Sequence, residues 1–265
     1  MITLSQLAIY PIKSTAQVSL DNCKMGAFGL DMDRRWMLIN NEGYMLTQRK
    51  HPKMCLIKSR FEANQLVITA PGMEQLIIPT QYSGELISAT VWDDVCNAHN
   101  CGQQAAQWFS HFLGISARLV YFPHEEVRQV DLDYAKQGNK TAFSDGFPYL
   151  LISQASLDDL NSRLAAPVDM RRFRPNLVIN GTEAFAEDDW KAIRIGDITF
   201  NLVKPCSRCV IPSIDPETAK KSAEVVKTLA GYRMRENKIY FGQNLIAEDA
   251  GKLEVGMEVE ILDTC

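Results

Sequence analysis

The chain has 265 residues, 46% hydrophobic and 23% charged, with a formal net charge of −4. That is enough apolar sequence to bury a core without disulfides or metal, and the length sets one large or two modest domains. An acidic balance argues against a nucleic-acid coat or a basic membrane-surface protein, since phosphate backbones demand a basic footprint.

The N-terminus, MITLSQLAIYPIKS, has no basic stretch ahead of an apolar one and no small-residue cleavage site. No apolar run approaches the roughly 20 residues of a membrane helix. The expectation is a cytoplasmic protein with neither nucleic acid nor membrane as partner. Its seven cysteines are then thiols, and clustered thiols in a reducing compartment point to metal or catalysis before disulfides.

The first hundred residues read as short strands: LAIYPIKS, VSLDNCKM, RWMLIN, YMLTQ, CLIKSRF, QLVITA, QLIIP and ISATVW. They carry β-branched and aromatic residues and are separated by turn signals such as Asn40-Asn41-Glu42-Gly43 and Ala70-Pro71-Gly72. This spacing predicts a sandwich or barrel, with Pro11, Pro52 and Pro79 at strand ends or turns. The period changes at Gln103, where Ala106, Phe109, Phe112 and Leu113 fall at helical spacing before a stop at Gly114. A strand, ARLVYF, follows. Residues 124–146 are polar and read as a long loop, a feature often tied to function.

The second half resumes with the strand YLLIS. A helix then opens at Ser153 or Ser156, with Leu157, Leu160 and Leu164 on one face. NLVIN, KAIRI, ITFNLVKP, IYFGQNLIAE and EVEIL read as strands, and Ala223 to Ala230 as a short helix ended by Gly231. The predicted class is mainly β with some helices (α+β). Strands and helices do not alternate strictly, which argues against a doubly wound fold.

Three local patterns carry chemistry. The first is Lys204-Pro205-Cys206-Ser207-Arg208-Cys209, two thiols three apart beside cations that favour the thiolate. After a strand it reads as turn-like. Half of a zinc site (with Cys96, His99 and Cys101 as partners), a redox disulfide and an incidental pair all remain open. The second is arginine crowding: Arg171, Arg172 and Arg174 within four positions, Arg34 and Arg35 beside Trp36, and Lys13-Ser14 at a strand end. Solvated surface charge is the plain reading of each alone. Together, Lys13, Arg34 and Arg174 suit a phosphate or a planar anion, because the guanidinium fork donates two parallel hydrogen bonds. The third is Tyr240-Phe241-Gly242-Gln243-Asn244, read either as a strand bulge or as a close backbone approach beside amides that recognise heterocycle edges.

In chain order, YPIKS, DRRW, FRPNLVING, IGD, KPCSRC and FGQNL resemble the MOSC family, named for the C-terminal domain of molybdenum cofactor sulfurase, together with its N-terminal β-barrel partner domain. Bacterial YcbX-type proteins and the mitochondrial amidoxime-reducing component share the pattern. The resemblance implies an N-terminal MOSC-associated β-barrel domain near residues 1–100 and a MOSC β-barrel domain over 101–265. It implies the molybdenum cofactor, Mo-molybdopterin, with Cys209 as the thiolate on the metal and Ser207 and Arg208 against the cofactor. Lys13, Ser14 and Arg34 would hold the phosphate and the pterin edge. Arg174 and Asn176 match family contacts. Gly146 and Phe147 replace small hydroxyl residues, so only main-chain bonding is expected there. Asn244 falls at a further contact position, and Cys206 receives no ligand role.

The implied activity is reduction of N-hydroxylated compounds (hydroxylamines, amidoximes, N-hydroxylated bases). Arg208 would stabilise developing negative charge. No four-cysteine cluster spacing appears, so a separate flavin or iron–sulfur protein would donate the electrons. The alternative is a non-catalytic carrier of the cofactor or of sulfur.

Overall fold

Alternating burial sets the strands. In Asn22–Gly26 the side chains of Cys23 and Met25 are buried between exposed neighbours, as a half-covered strand requires. In the computed structural model, which describes residues 1–265, such strands form four sheets around several apolar cores.

The largest sheet runs Val259–Thr264, Trp190–Ile195, Ile198–Ser207, Lys238–Ala247, Tyr149–Ser153, Leu177–Asn180, Thr3–Ile9, Val18–Leu20, with Met234–Arg235 pairing off this path. Neighbours along it are antiparallel, except that Tyr149–Ser153 and Leu177–Asn180 are parallel. A parallel pair needs a crossover, and the helix Gln154–Ser162 supplies it, capped by the Ser153 hydroxyl on the Ser156 amide. A second sheet orders Trp36–Ile39, Arg118–Tyr121, Asp94–Asn100 and Leu86–Val91, and the helix Gln103–Leu113 stops at Gly114 in left-handed backbone. The class is α+β, as the pattern predicts.

The first strand belongs to the large sheet. Leu4, Leu7 and Ile9 share one core with Leu151, Leu177, Phe200 and Leu245. A second core gathers Ile12, Trp36, Leu38, Leu66 and Phe109. At about 1.5–3 kcal/mol per fully buried large apolar side chain, both hold the chain segments between them in place.

Local differences from the sequence reading have physical causes. YMLTQ makes only isolated bridges, at Tyr44 and Met45, because the Asn40 side chain accepts from the Glu42 and Tyr44 amides and folds the chain back. Asp94–Asn100 is a strand whose inward residues, Cys96 and Ala98, are too small to stand out in the sequence. The late helix spans Glu224–Arg233 and runs through Gly231, held by buried Val225 and Leu229 and by an Arg233–Asp188 ion pair. Pro52–Leu56 is a short 3-10 turn, so the strand begins only at Lys58.

Candidate functional site

A row of paired positions crosses the large sheet near one edge. Ala8 N–H donates to the Asn176 carbonyl, and Asn176 N–H to the Leu150 carbonyl. Leu150 pairs with Asn244, and Asn244 with Lys204. Segments continuing beyond this row converge: the turn after the first strand, the loop before Tyr149, Phe173–Asn176, and the end of the Ile198–Ser207 strand. With Arg34 they line a cleft of about 260 Å³. Lys13, Ser14, Arg34, Gly146, Phe147, Arg174, Asn176, Ser207, Arg208, Cys209 and Asn244 all border it.

One end of the cleft is cationic and fixed. Ser14, Arg34 and Arg174 have φ of 69°, 48° and 60°, left-handed backbone that costs a non-glycine residue about 1–3 kcal/mol and clusters at working sites. Lys13 is buried, and its Nζ donates to the Phe143 carbonyl at 2.8 Å and to Asp145 Oδ1 at 2.5 Å. Burial brings its ammonium down to about 8 against the pull of Asp145. Desolvation pushes the Asp145 carboxyl up, but Lys13 and Arg49 outweigh it and hold the group well below the usual carboxylate range. That carboxylate still faces outward, 60% exposed.

Arg34 donates from Nη1 to Asp33 Oδ2 at 2.6 Å and to Asn176 Oδ1 at 3.1 Å. The Asn176 amide also bonds the Ala8 carbonyl and the Leu150 N–H, so it ties Arg34 to three strand ends. Arg174 donates Nη1 to the Thr15 carbonyl at 2.6 Å. Burial takes its guanidinium down to about 10. Both guanidinium groups lie 4.2 Å from the centroid of the Tyr10 ring.

The other end carries thiols. Lys204–Ser207 is extended strand rather than turn, and the pairing with Lys238–Ala247 shifts register at Leu202/Lys204 and at Pro205/Ser207. Such irregularities re-aim side chains. Opposite them Gly242 has φ 84°, and a Cβ there would lie 2.6 Å from Ile152 Cγ1 and 2.7 Å from the Leu151 carbonyl oxygen. Only glycine allows that approach. Arg208 donates Nη2 to the Phe173 carbonyl at 2.6 Å and Nη1 to Cys206 Sγ at 3.1 Å. Its Nε is buried without a partner.

Cys206 and Cys209 are half-buried in the cleft wall. Burial pushes Cys23, Cys55 and Cys96 up to about 11 and Cys101 to about 12, which keeps them protonated thiols. No three His, Cys, Asp or Glu side chains gather anywhere in the chain. Cys96 packs in a core, and His99 Nδ1 lies against the Gly84 carbonyl.

Lys13, Arg34, Arg49, Arg174, Lys204 and Arg208 thus face one carboxylate, Asp145, in a chain of net charge −4. Cations so concentrated favour a multiply charged anion. Soft thiols at the other end suit a thiophilic metal. A phosphate-bearing dithiolene cofactor fits this donor set.

Residues 1–116 match the MOSC N-terminal beta barrel domain, and residues 138–260 the MOSC domain. The human protein named mitochondrial amidoxime-reducing component 1 is 37% identical over 98% of this chain and 83% of its own length. The bovine mitochondrial amidoxime reducing component 2 is 36% identical over 96% of this chain and 81% of its own. The chain belongs to the MOSC family. Among solved structures, the YuaD protein of Bacillus subtilis aligns over 98% of this MOSC chain and 95% of its own, at 12% identity and a TM-score of 0.45.

Membership in the MOSC family supports a redox role associated with the molybdenum cofactor. One expectation fails. The relatives are named mitochondrial, which overturns the cytoplasmic expectation; the absence of a leader pattern was no guide to compartment.

Arg49, Asp145 and Lys204 also line the cleft, and neither Arg49 nor Asp145 belongs to a pattern that marks it in the sequence. Lys204, the first residue of KPCSRC, adds its charge to the cleft besides lying next to the thiols in sequence. The long loop borders the cleft through Ser144 and Asp145. Buried Arg128 pins it, donating to the carbonyls of Ala142 and Ser144 and to Asp94.

Proposed function

We propose that this chain is a molybdenum-cofactor-dependent reductase of N-hydroxylated compounds and that the cleft holds the cofactor. The donor set carries the reading: two half-buried thiols beside six cations and one carboxylate. The relatives' name, amidoxime-reducing component, supports the substrate chemistry.

When bound, the cofactor supplies the two-electron redox chemistry. Overall, an N-hydroxylated substrate takes two electrons and two protons, its N–O bond breaks, and the reduced nitrogen compound and water leave. A separate flavin or iron–sulfur protein delivers the electrons.

The chain binds and orients. Lys13, Ser14, Arg34 and Arg174 hold the phosphate end, with Asn176 keeping the Arg34 fork aimed. Gly146 and Phe147 offer main-chain contacts, and Ser207 and Asn244 border the pterin. Cys209 would be the residue that holds the metal through its sulfur. Arg208, tethered to the Phe173 carbonyl, steadies negative charge developing on the departing oxygen. Asp145 stays ionised and keeps Lys13 charged, so it is not the acid.

Protein made in a cofactor-competent host is expected to carry near-stoichiometric molybdenum and to reduce a hydroxylamine with a chemical electron donor. Full loading without reduction would leave a carrier. Absence of the fluorescent molybdopterin oxidation product after acid and iodine treatment would remove both readings.

A further inference from the structure

A second cavity opens beside the cleft, and Arg49 lines both. Its wall includes two exposed aromatic side chains, Trp92 at 42% and Tyr44 at 55%. Trp92 sits in the two-residue loop joining Leu86–Val91 to Asp94–Asn100, where Val91 pairs with Asp94. Two-residue hairpin loops need left-handed backbone and favour Asn-Gly. Trp92 nevertheless takes φ 56°, an outlier for a bulky residue. Local folding does not explain a tryptophan there, and neither does core packing.

Its contacts are with the cleft. The indole Nε1 donates to Asp145 Oδ1 at 3.3 Å. The Arg49 guanidinium lies 4.5 Å from the centroid of the Trp92 ring and reaches Asp145 Oδ2 at 3.5 Å. The same carboxylate holds Lys13. A strained, partly exposed indole is therefore fastened to the cleft wall, with Arg49 against its ring. Strain held at such a place points from geometry to function.

The geometry points to Trp92 as the platform on which the planar aromatic or heteroaromatic part of an N-hydroxylated substrate stacks at the cleft mouth, so that aryl substrates are favoured over small alkyl ones. This rests on the reductase reading above. Tyr44 supplies a second aromatic wall to the same cavity, and Arg49 joins that cavity to the cleft.

The test compares benzamidoxime with acetamidoxime, which share the N-hydroxy group and differ in the ring, on cofactor-loaded protein. Trp92→Asn keeps a residue that tolerates left-handed backbone. It is expected to lower the benzamidoxime-to-acetamidoxime ratio of kcat/KM about tenfold, the order of one lost aromatic stack. The loss should fall on KM for benzamidoxime, and Trp92→Phe should restore most of the ratio. An unchanged ratio, or an equal loss for both substrates, overturns the inference.

Relief of strain should offset lost contacts and keep the thermal midpoint of Trp92→Asn within about 3 °C of the parent. A fall of about 10 °C or more marks a structural indole and also overturns it. If the parent reduces neither amidoxime, the reductase reading fails. Calorimetric binding of benzamidoxime then still decides the platform, expected about tenfold weaker for Trp92→Asn and contradicted by equal affinity.

Discussion

The two ends of the cleft differ in how far they are fixed before any ligand arrives. At the cationic end Lys13 is 4% exposed, Arg174 is tied to the Thr15 carbonyl, and three residues hold left-handed backbone. At the thiol end Cys206 and Cys209 are half-buried, the strand bearing Cys206 slips register twice, and Arg208 keeps a bare buried Nε. Preset cations bind an anion with little further ordering. A half-buried, irregular wall leaves room for a reacting molecule. On the proposed reading, retention and turnover fall to different groups of cleft residues, and substitutions should separate them.

The largest expected effect lies at the thiol end. Cys209→Ser should lower kcat of loaded protein by more than about 100-fold, beyond what supporting residues around a metal usually contribute. It should also alter the molybdenum paramagnetic spectrum. Cys206→Ser should lose no more than about tenfold. Arg208 donates to Cys206 rather than to Cys209, so a reversed order would move the metal ligand to Cys206.

Next come Arg34 and Arg174, the two of the four cleft arginines that share Tyr10 but differ in other partners. Arg174 has no carboxylate partner, whereas Arg34 pairs with buried Asp33. Arg174→Gln should weaken cofactor retention about 10- to 100-fold, as loss of charged hydrogen bonds does, with little change in thermal midpoint. Arg34→Ala should lose retention and also about 1–3 kcal/mol of stability, because it leaves the Asp33 carboxylate short of a donor. Molybdopterin content after dialysis and a thermal melt read the two effects. An Arg174 variant that unfolds yet keeps its cofactor would make the cationic end structural.

Lys13 gives a smaller, pH-dependent effect. Burial brings its ammonium to about 8 from an ordinary 10.5. Between those values the unfolded chain holds the extra proton, so stability of the cofactor-free protein should rise as pH climbs through that window. Anion binding should run the other way, weakening above about pH 8 as the charge is lost, although a bound anion shifts that loss upward. Inorganic phosphate titrated at pH 7 and pH 9 checks the sign, and Lys13→Arg should flatten the dependence.

Much of this cleft was legible because its residues sit in short, ordered patterns at strand ends. FRPN places Arg174 and Asn176 before one strand, and YPIKS places Lys13 and Ser14 after another. What stayed hidden depends on pairing across distance. Arg49 lies in an unremarkable stretch and gains its place only where Asp145 meets it from a loop 96 positions away. The strand Asp94–Asn100 hid because small Cys96 and Ala98 fill its inward face. Trp92 was legible as the end of a strand, and its left-handed turn was not, since nothing in VWDD resembles the usual hairpin signal.

The smallest effect is the sharpest control on the arginine assignments. Arg171, Arg172 and Arg174 are near neighbours, yet Arg171 pairs with Asp169 and Glu217 at the surface and Arg172 with Asp215. Only Arg174 turns its fork into the cleft beside Tyr10. Exposed pairs such as those of Arg171 contribute about 0–1 kcal/mol. Arg171→Ala should therefore leave molybdopterin content unchanged and move stability by less than about 1 kcal/mol. Were it to shed cofactor as Arg174→Gln does, the loss would reflect the general positive charge of the segment, and no single buried fork would hold the anion.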